Sequence, residues 1–316
     1  MAKKVVVALL SEDQEFQLMQ AADARQCAAR AGLAIDVLFA DDNAIKQIHQ
    51  LFARIHAPEA SRPAAIVVES VTSDGLERVA RNAVKAGIGW VLVNGKVSYL
   101  DALRQERRAM LIGSVAIDNE EVGRIQGRQL RALAPRGGLV LYLQGPADST
   151  TAHERLLFAQ QAVKNANIEM KVLTSEDWVV AAGEKAVAAW LRLKTSELLR
   201  PVAICAQNDA LAVGARRAIQ AQRPEWSQLP FTGCDGLPEG GQRLVRSGEL
   251  TATVVTPTPA GPAVTLVARV LAGEKVSPDL RLAPRSLPSE EELVRRISAT
   301  RDSSLTQLAG NGSSRA

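Results

Sequence analysis

Polar, charged and aromatic side chains follow the predicted strands of this 316-residue chain at the point where each strand ends. They comprise carboxylates, amides, one arginine and two aromatic rings, in segments 11–16, 94–96, 144–155, 177–178, 207–209 and 235–236 and at Thr256. Because parallel strands end at one shared edge of a sheet, we expect these segments to converge. The mixture suits a polyhydroxylated ligand, whose hydroxyl groups need planar hydrogen-bonding partners and whose ring needs an aromatic face.

A plainer interpretation of the same residues is that loop ends are polar because they are solvated. Asn119 and Asp209, for example, could act as N-caps of the helices that they precede. Both interpretations stay open for any single residue, whereas the convergent set as a whole favours ligand binding. His153 lies two residues before Arg155 and is either a further ligand contact or a surface residue.

One pattern, a strand, a polar or glycine-bearing turn and a helix, fills residues 3–134 and starts again at Gly138. Continuous runs of Val, Ile and Leu predict strands that are buried on both faces of a parallel sheet. They cover 5–10, 34–39, 64–68, 90–93 and 110–117, then 139–143, 170–173, 202–206, 231–234 and 251–255. The sequence therefore predicts an α/β fold of two Rossmann-like lobes, with a small ligand in the crevice where their carboxyl edges face each other.

The lobe boundaries follow from breaks in this pattern. The chain first passes between lobes near 116–119, and the proline-rich stretch 256–262 predicts an irregular second crossover. The predicted lobes are 1–116 with 257–279 and 117–256 with 280–288. Ser289 and Glu292 form an S-x-x-E capping box, so 289–316 is expected to contain a helix to about residue 299 and then a flexible tail.

Four segments carry a resemblance to a known family. They are LQGPADSTTAHERLLFAQQAV at 143–163, AQNDALAVGARRAI at 206–219, FTGCDG at 231–236 and GELTATV at 248–254. The chain resembles the type I periplasmic binding proteins over residues 3–287. Their ribose-binding branch is nearest, and the ligand-binding core of lactose-repressor-type regulators is related. The resemblance implies two lobes joined by a three-segment hinge, which close over a sugar or a similar small polar molecule.

The resemblance also implies roles for individual residues. It matches polar ligand contacts and a ring-stacking aromatic of the second lobe to Arg155, Asn208, Asp235 and Trp178. In the first lobe and at the hinge, it matches positions near the ligand to Asp13, Phe16 and Thr256. The chain has Asn94 and Gly95 where the ribose-binding pattern has an Asp-Arg pair, and Glu15 and Phe16 where two adjacent aromatics are common. These departures disfavour ribose itself and leave a small polar ligand, with Asn94 as a candidate contact.

Several other function classes lack a basis in the sequence. The net charge of +4 is spread along the chain and no helix-turn-helix precedes the first strand, so no direct nucleic-acid binding is expected. No apolar stretch approaches the length of a membrane span, so no membrane insertion is expected. The three histidines are too scattered to predict a metal site, and GxSxG, Walker and GxGxxG motifs are absent. Asp41, Asp42 and Lys96 invite comparison with a phosphoacceptor site, but the acidic pair follows the second strand rather than the first. We therefore predict no enzyme, cofactor or metal.

Location and biological role are the least determined predictions. Cys27, Cys205 and Cys234 are an odd number of thiols in apolar runs, which is typical of reduced core cysteines in a cytosolic protein. The apolar run at 5–10 is too short for the core of a signal peptide, so the sequence as it stands predicts a cytoplasmic protein, and a periplasmic one if an export signal was removed. Two roles stay open: a solute-binding protein that serves an ABC transporter permease, and a cytosolic ligand sensor of the lactose-repressor type without its DNA-binding headpiece, which would signal to a partner.

Overall fold

The computed structural model of the protein describes residues 2–72, 74–95 and 97–299. The chain divides into two compact units, Met1–Asp118 with Pro257–Ala283 and Asn119–Thr256 with Pro284–Ala316. Each unit contains one six-stranded sheet. The predicted tail beyond residue 299 lies outside the described residues.

Strands and helices alternate along both units, as the repeated sequence pattern predicts. The first run is β1 (Lys4–Leu9), α1 (Glu15–Arg30), β2 (Ala34–Phe39), α2 (Ala44–Ile55), β3 (Ala65–Val68), α3 (Glu77–Lys85), β4 (Gly89–Val93), α4 (Leu100–Glu106) and β5 (Ile112–Ile117). The second run is α5 (Asn119–Leu133), β6 (Gly138–Gln144), α6 (Thr150–Val163), β7 (Ile168–Thr174), α7 (Val180–Leu191), α8 (Lys194–Glu197), β8 (Pro201–Ala206), α9 (Asp209–Gln222), β9 (Phe231–Asp235), α10 (Gly241–Ser247) and β10 (Ala252–Val255). The chain then adds α11 (Ala260–Leu271) and β11 (Asp279–Leu282) to the first unit, and β12 (Arg285–Leu287) and a helix over 290–299, α12, to the second.

The two sheets have the same strand order over five strands. The first runs β11-β5-β4-β3-β1-β2 and the second β12-β10-β9-β8-β6-β7. All pairings between these strands are parallel except that of β10 with β12. The predicted α/β fold is confirmed, and the loops after β1, β3 and β4, like those after β6, β8 and β9, lie at one edge of their sheet.

Each sheet is buried on both faces, which explains its continuous apolar strands. In β1, Val6 and Ala8 pack beneath α2 and α3, whereas Val5, Val7 and Leu9 pack beneath α1 and α11. The second sheet repeats this arrangement. In β6, Leu141 and Leu143 face the cluster formed by α7 and α9, and Val140 and Tyr142 face the cluster formed by α5 and α6.

Strand β11 corrects one part of the predicted assignment of 280–288 to the second lobe, namely residues 280–283. It pairs in parallel with β5, and Ser114 Oγ donates a hydrogen bond of 2.6 Å to Asp279 Oδ1. Residues 279–283 therefore belong to the first unit, and the return to the second unit occurs at Pro284. A strand of four residues at a sheet edge has no pattern in its own sequence that selects one sheet over the other.

The proline-rich crossover is also shorter than predicted, because α11 begins at Ala260 and includes Pro262. Proline is tolerated there because the first-turn N–H groups of a helix have no intrahelical acceptor.

The C-terminal helix α12 is anchored to the second unit. The Glu292 amide donates to Ser289 Oγ at 3.2 Å, and Leu293 is fully buried in the cluster that contains α5 and α6. Among the helices that the structure describes, none has both the length and the apolar character needed to cross a bilayer.

Candidate functional site

Arg155 lies at the carboxyl edge of the second sheet and is 4% exposed. Its guanidinium donates from Nε to Asn119 Oδ1 at 2.9 Å and from Nη1 to the Gln207 carbonyl at 2.7 Å. No hydrogen bond from Nη2 occurs within the part of the chain that the structure describes. The guanidinium is thus fixed by two acceptors and keeps donor capacity for a ligand.

Asp235 ends strand β9 beside this guanidinium. Its Oδ1 lies 3.9 Å from Arg155 Nη1, and the side chain stays 24% exposed. Its φ of +94° is unusual for a residue with a side chain. Backbone strain of this kind costs about 1–3 kcal/mol and persists only where the surrounding structure enforces it, which makes Asp235 a candidate for function.

Two neighbours enforce the conformation of Asp235. The Thr256 amide donates to the Asp235 carbonyl at 3.0 Å. Asp209 is nearly buried and accepts hydrogen bonds from the Gly236 amide at 2.8 Å and from Thr253 Oγ1 at 2.6 Å. An added Cβ would lie 2.2 Å from an Asp209 carboxylate oxygen at Gly233 and 2.1 Å at Gly241, so a larger residue at either position would displace that carboxylate. Asp209 therefore holds the loop after β9.

Asn208 has two structural partners. Its Oδ1 accepts from the Leu211 amide at 2.8 Å, so Asn208 rather than Asp209 is the N-cap of α9. Its Nδ2 donates to the Trp178 carbonyl at 2.8 Å. The N-cap interpretation therefore applies to Asn208, and a ligand contact would use the remaining Nδ2 proton or the second lone pair of Oδ1.

Trp178 is half-buried at the same edge. Its ring covers Gly145, where a Cβ would lie 2.2 Å from the indole, and it also packs against the core cluster beneath α7 and α9. The Arg155 guanidinium lies 5.9 Å from the ring centroid. The predicted ring therefore stands near the predicted cation, with part of its surface used for packing.

Gln207, which is fully buried, links these groups. Its Oε1 accepts from the Gly145 amide at 2.9 Å, and its Nε2 donates to the Ala152 carbonyl at 2.8 Å and to Tyr142 Oη at 3.2 Å. Tyr142 Oη in turn donates to Gln126 at 2.8 Å, and burial raises the pKa of Tyr142 well above its usual value. The side chain after β8 thus fixes the loop after β6 and the start of α6.

The first unit has a corresponding polar cluster, which contains Asn94 and the unpredicted Glu69. Glu69 follows β3, is 8% exposed and accepts from Gln17 at 2.9 Å, Gln20 at 2.6 Å and Asn94 at 3.1 Å. Burial raises the pKa of Glu69, although the three amide hydrogen bonds act in the opposite direction. Asn94 has a φ of +48°, which asparagine tolerates better than most residues.

Of the other predicted residues, Thr256 shares these contacts, whereas no hydrogen bond, ion pair or ring contact joins Asp13, Phe16 or His153 to them in the described parts of the two units. Asp13 is exposed and its amide donates to Ser11 Oγ at 3.3 Å, and Phe16 is half-buried in the first turn of α1. Thr256 is nearly buried and contacts the Asp235 backbone. His153 is exposed and, two residues before Arg155, projects from a different face of α6.

The acidic pair Asp41 and Asp42 lies in the turn after β2. Both residues have positive φ, and Asp41 pairs with Lys46, whereas Lys96 lies outside the described residues. Nowhere in 2–72, 74–95 and 97–299 do three or more His, Cys, Asp or Glu side chains form a group that could hold a metal ion.

Comparison with known proteins places this architecture in a family. The model of the periplasmic binding protein domain matches residues 5–275. The chain belongs to the periplasmic binding protein domain family. The ribose import binding protein RbsB of Escherichia coli K12 is 27% identical over 287 residues, which cover 87% of this chain and 88% of that protein.

Solved structures of periplasmic binding proteins share the fold. The ABC transporter periplasmic solute binding protein of Actinobacillus succinogenes, with bound D-allose, has a TM-score of 0.79 at 18% identity and covers 92% of this chain and 99% of its own. The Caulobacter myo-inositol binding protein, bound to myo-inositol, has a TM-score of 0.75 at 21% identity, and the match covers 94% of this chain and 97% of that protein.

Proposed function

We propose that this protein reversibly binds a monosaccharide or a closely related polyol as a solute-binding protein. The observation that carries the proposal is the group formed by Arg155, Asp235 and Trp178 at one sheet edge, with 3.9 Å between the charged groups and 5.9 Å between guanidinium and ring. A guanidinium and a carboxylate supply donors and acceptors for vicinal hydroxyl groups, and an indole packs against the apolar face of a sugar ring.

The relatives support this ligand class. The Escherichia coli relative is named for ribose import, and the solved structures of similar fold hold D-allose and myo-inositol. In the first unit, Asn94 is the proposed polar contact, and Asp13 and Phe16 are candidates in the loop after β1 and the first turn of α1. No step of bond making or breaking is part of the proposed function.

We further propose a role in delivering the ligand to an ABC transporter, outside the cytoplasm. Support comes from the names of relatives, which include an import binding protein and an ABC transporter periplasmic solute binding protein. These names favour transport over the cytosolic sensor role that the sequence also left open.

A thermal-shift screen tests the ligand class. The panel contains D-ribose, D-allose, L-arabinose, D-fructose, D-galactose and myo-inositol, with L-leucine and L-glutamate as non-sugar controls. A ligand at 100 times its Kd stabilises the folded state by about 2.7 kcal/mol, so at least one sugar or polyol should raise the Tm. A rise with an amino acid and none with any sugar or polyol would contradict the proposed function.

A further inference from the structure

The buried Glu69 is surrounded by side-chain amides rather than by cations. Its Oε2 accepts from Gln17 and Gln20, both buried on α1, while its Oε1 accepts from Asn94 Nδ2 at 3.1 Å. Across the described residues, no Lys, Arg or His forms an ion pair with Glu69. A nearly buried carboxylate is costly, and the partners of Glu69 that the structure describes are neutral amides, which offset that cost only in part.

The backbone around Glu69 is held independently of its carboxylate. Gln47 Nε2 donates to the Glu69 carbonyl at 2.7 Å, and the Val71 amide donates to Gln47 Oε1 at 3.1 Å. The loop after β3 is therefore fixed by α2. The carboxylate therefore is not needed to fix this loop, and its contribution is to orient its amide partners. One of these partners, Asn94, lies directly after β4.

The residue of the second unit that corresponds to Glu69 is Gln207. β3 and β8 occupy the same position in the strand order of their sheets, so Glu69 and Gln207 follow corresponding strands. Gln207 fixes the Gly145 amide and the start of α6, the helix that carries Arg155. Likewise β4 and β9 correspond, and their carboxyl ends carry the positive-φ residues Asn94 and Asp235.

The Glu69–Asn94 hydrogen bond orients the Asn94 amide, with Nδ2 toward Glu69 and the carbonyl oxygen Oδ1 turned away from it. Because a carboxylate only accepts, Nδ2 must face Glu69, and this is the one side-chain hydrogen bond of Asn94 among the described residues. The carbonyl oxygen Oδ1 is then left as an acceptor. A neutral amide at position 69 would permit the opposite orientation, which presents a donor instead.

We propose that Glu69 is a positioning residue of the first unit, which holds the Asn94 amide so that Oδ1 accepts a hydrogen bond from a ligand hydroxyl. The inference rests on the proposed function and deepens it, since it assigns the polarity of one ligand contact. Glu69 acts through Asn94 and does not itself touch the ligand.

The test exchanges the donor and the acceptor between the two positions. E69Q permits the Asn94 amide to turn, and N94D places two carboxylates against each other. The double variant E69Q/N94D restores a hydrogen bond in which the introduced glutamine amide donates, and it leaves a carboxylate oxygen outward. The net charge of the double variant equals that of the wild type. Calorimetric titrations with D-ribose, D-allose and myo-inositol give the Kd of each protein.

We expect each single variant to bind about tenfold more weakly, the size of effect caused by an unmatched polar partner, and the double variant to recover most of the loss. If E69Q does not fold, the comparison of N94D with E69Q/N94D carries the same rescue. Val84→Ala, a cavity in the core of the same unit, is the control: it should lower the Tm and change the Kd by no more than about twofold.

The outcomes separate this inference from the proposed function. Binding by the wild type with unchanged affinity in E69Q, or with no rescue in the double variant, overturns the role of Glu69 and leaves the proposed function standing. If none of the three probes binds, the titrations use the other sugars of the thermal-shift panel, and failure of the folded wild type to bind any sugar or polyol of that panel contradicts both.

Discussion

Two buried acids, Glu69 and Asp209, organise the loops that carry the candidate site residues. Asp209 fixes the loop after β9 through the Gly236 amide and Thr253, and Glu69 fixes amides of α1 and Asn94. The sequence does not reveal either role, because an acid just after a strand, such as Glu69, or at the start of a helix, such as Asp209, is ordinary at a solvated position. The partners of Glu69 on α1 lie 49 and 52 positions away, so only the fold brings them together.

The shifted pKa of Glu69 predicts a pH dependence of stability. Burial raises its folded-state pKa above the usual value of 4.5, so the folded protein binds this proton more tightly than the unfolded chain. The stabilisation is complete below about pH 4.5 and is lost as pH rises through the folded-state pKa. The free energy of unfolding of wild type minus that of E69Q should therefore fall as pH rises from 4.5, as measured by urea denaturation. A difference that grows with pH would show that the pKa is lowered.

Trp178 predicts a fluorescence signal that separates it from the other tryptophans. Trp90, Trp190 and Trp226 are 6% exposed or less, whereas Trp178 is half-buried beside Arg155. A bound sugar should change the emission of Trp178, and W178F should abolish the change while its ring keeps most of the packing against Gly145. Persistence of the full change in W178F would assign the signal to another tryptophan and remove Trp178 from the site.

At the scale of elements, each face of the second sheet is covered by a pair of closely packed helices. Gly123 and Gly127 of α5 lie against the backbone of α6, and Gly183 of α7 and Gly214 of α9 form a similar contact. These contacts pack α6, which carries Arg155, against α5, and α9, which Asn208 caps, against α7. These four glycines lie within helices, so they are not needed for an unusual backbone conformation. Their lack of a side chain allows the two helices of each pair to approach closely.

The α5–α6 contact predicts the effect of one added methyl group. A Cβ at Gly127 would lie 2.4 Å from Ala162 Cβ and 2.9 Å from the Ala159 carbonyl. Although alanine favours helix by about 1 kcal/mol over glycine, overpacking costs about 1–3 kcal/mol, so Gly127→Ala should lower the Tm. The double variant G127A/A162G should regain part of the loss. A Tm equal to or above that of wild type in G127A would contradict the close packing.

The elements that the sequence predicts best are those with a long local signal. The apolar runs of β1 and β6 are buried on both faces as predicted, and Ser289 caps α12. The weakest predictions depend on tertiary pairing. The short strand β11 joins the first sheet rather than the second unit, and Asn208 caps α9 in place of Asp209. A single position cannot report whether a side chain turns to a helix end, to a buried partner or to a ligand.

At the scale of the whole molecule, the two units repeat one strand order but carry unlike side chains at the corresponding strand ends. The two sheets share a strand order, yet corresponding positions carry Glu69 and Gln207 after the third strand, and Asn94 and Asp235 at the end of the next one. The second unit places charged groups and a ring at its edge, whereas the first offers amides around a buried acid.

Isothermal titration calorimetry of the wild type and Asp235→Ala, with the sugar or polyol that most raises the Tm, measures whether the group at the carboxyl edge of the second sheet binds the ligand. We expect one ligand per chain and at least about tenfold weaker binding by the variant, because the ligand loses a buried polar partner worth about 1–3 kcal/mol. The variant should remain folded, since replacing the exposed part of Asp235 leaves the Asp209 contacts intact. Equal affinity in the two proteins, or no heat of binding with any sugar or polyol, would contradict this expectation.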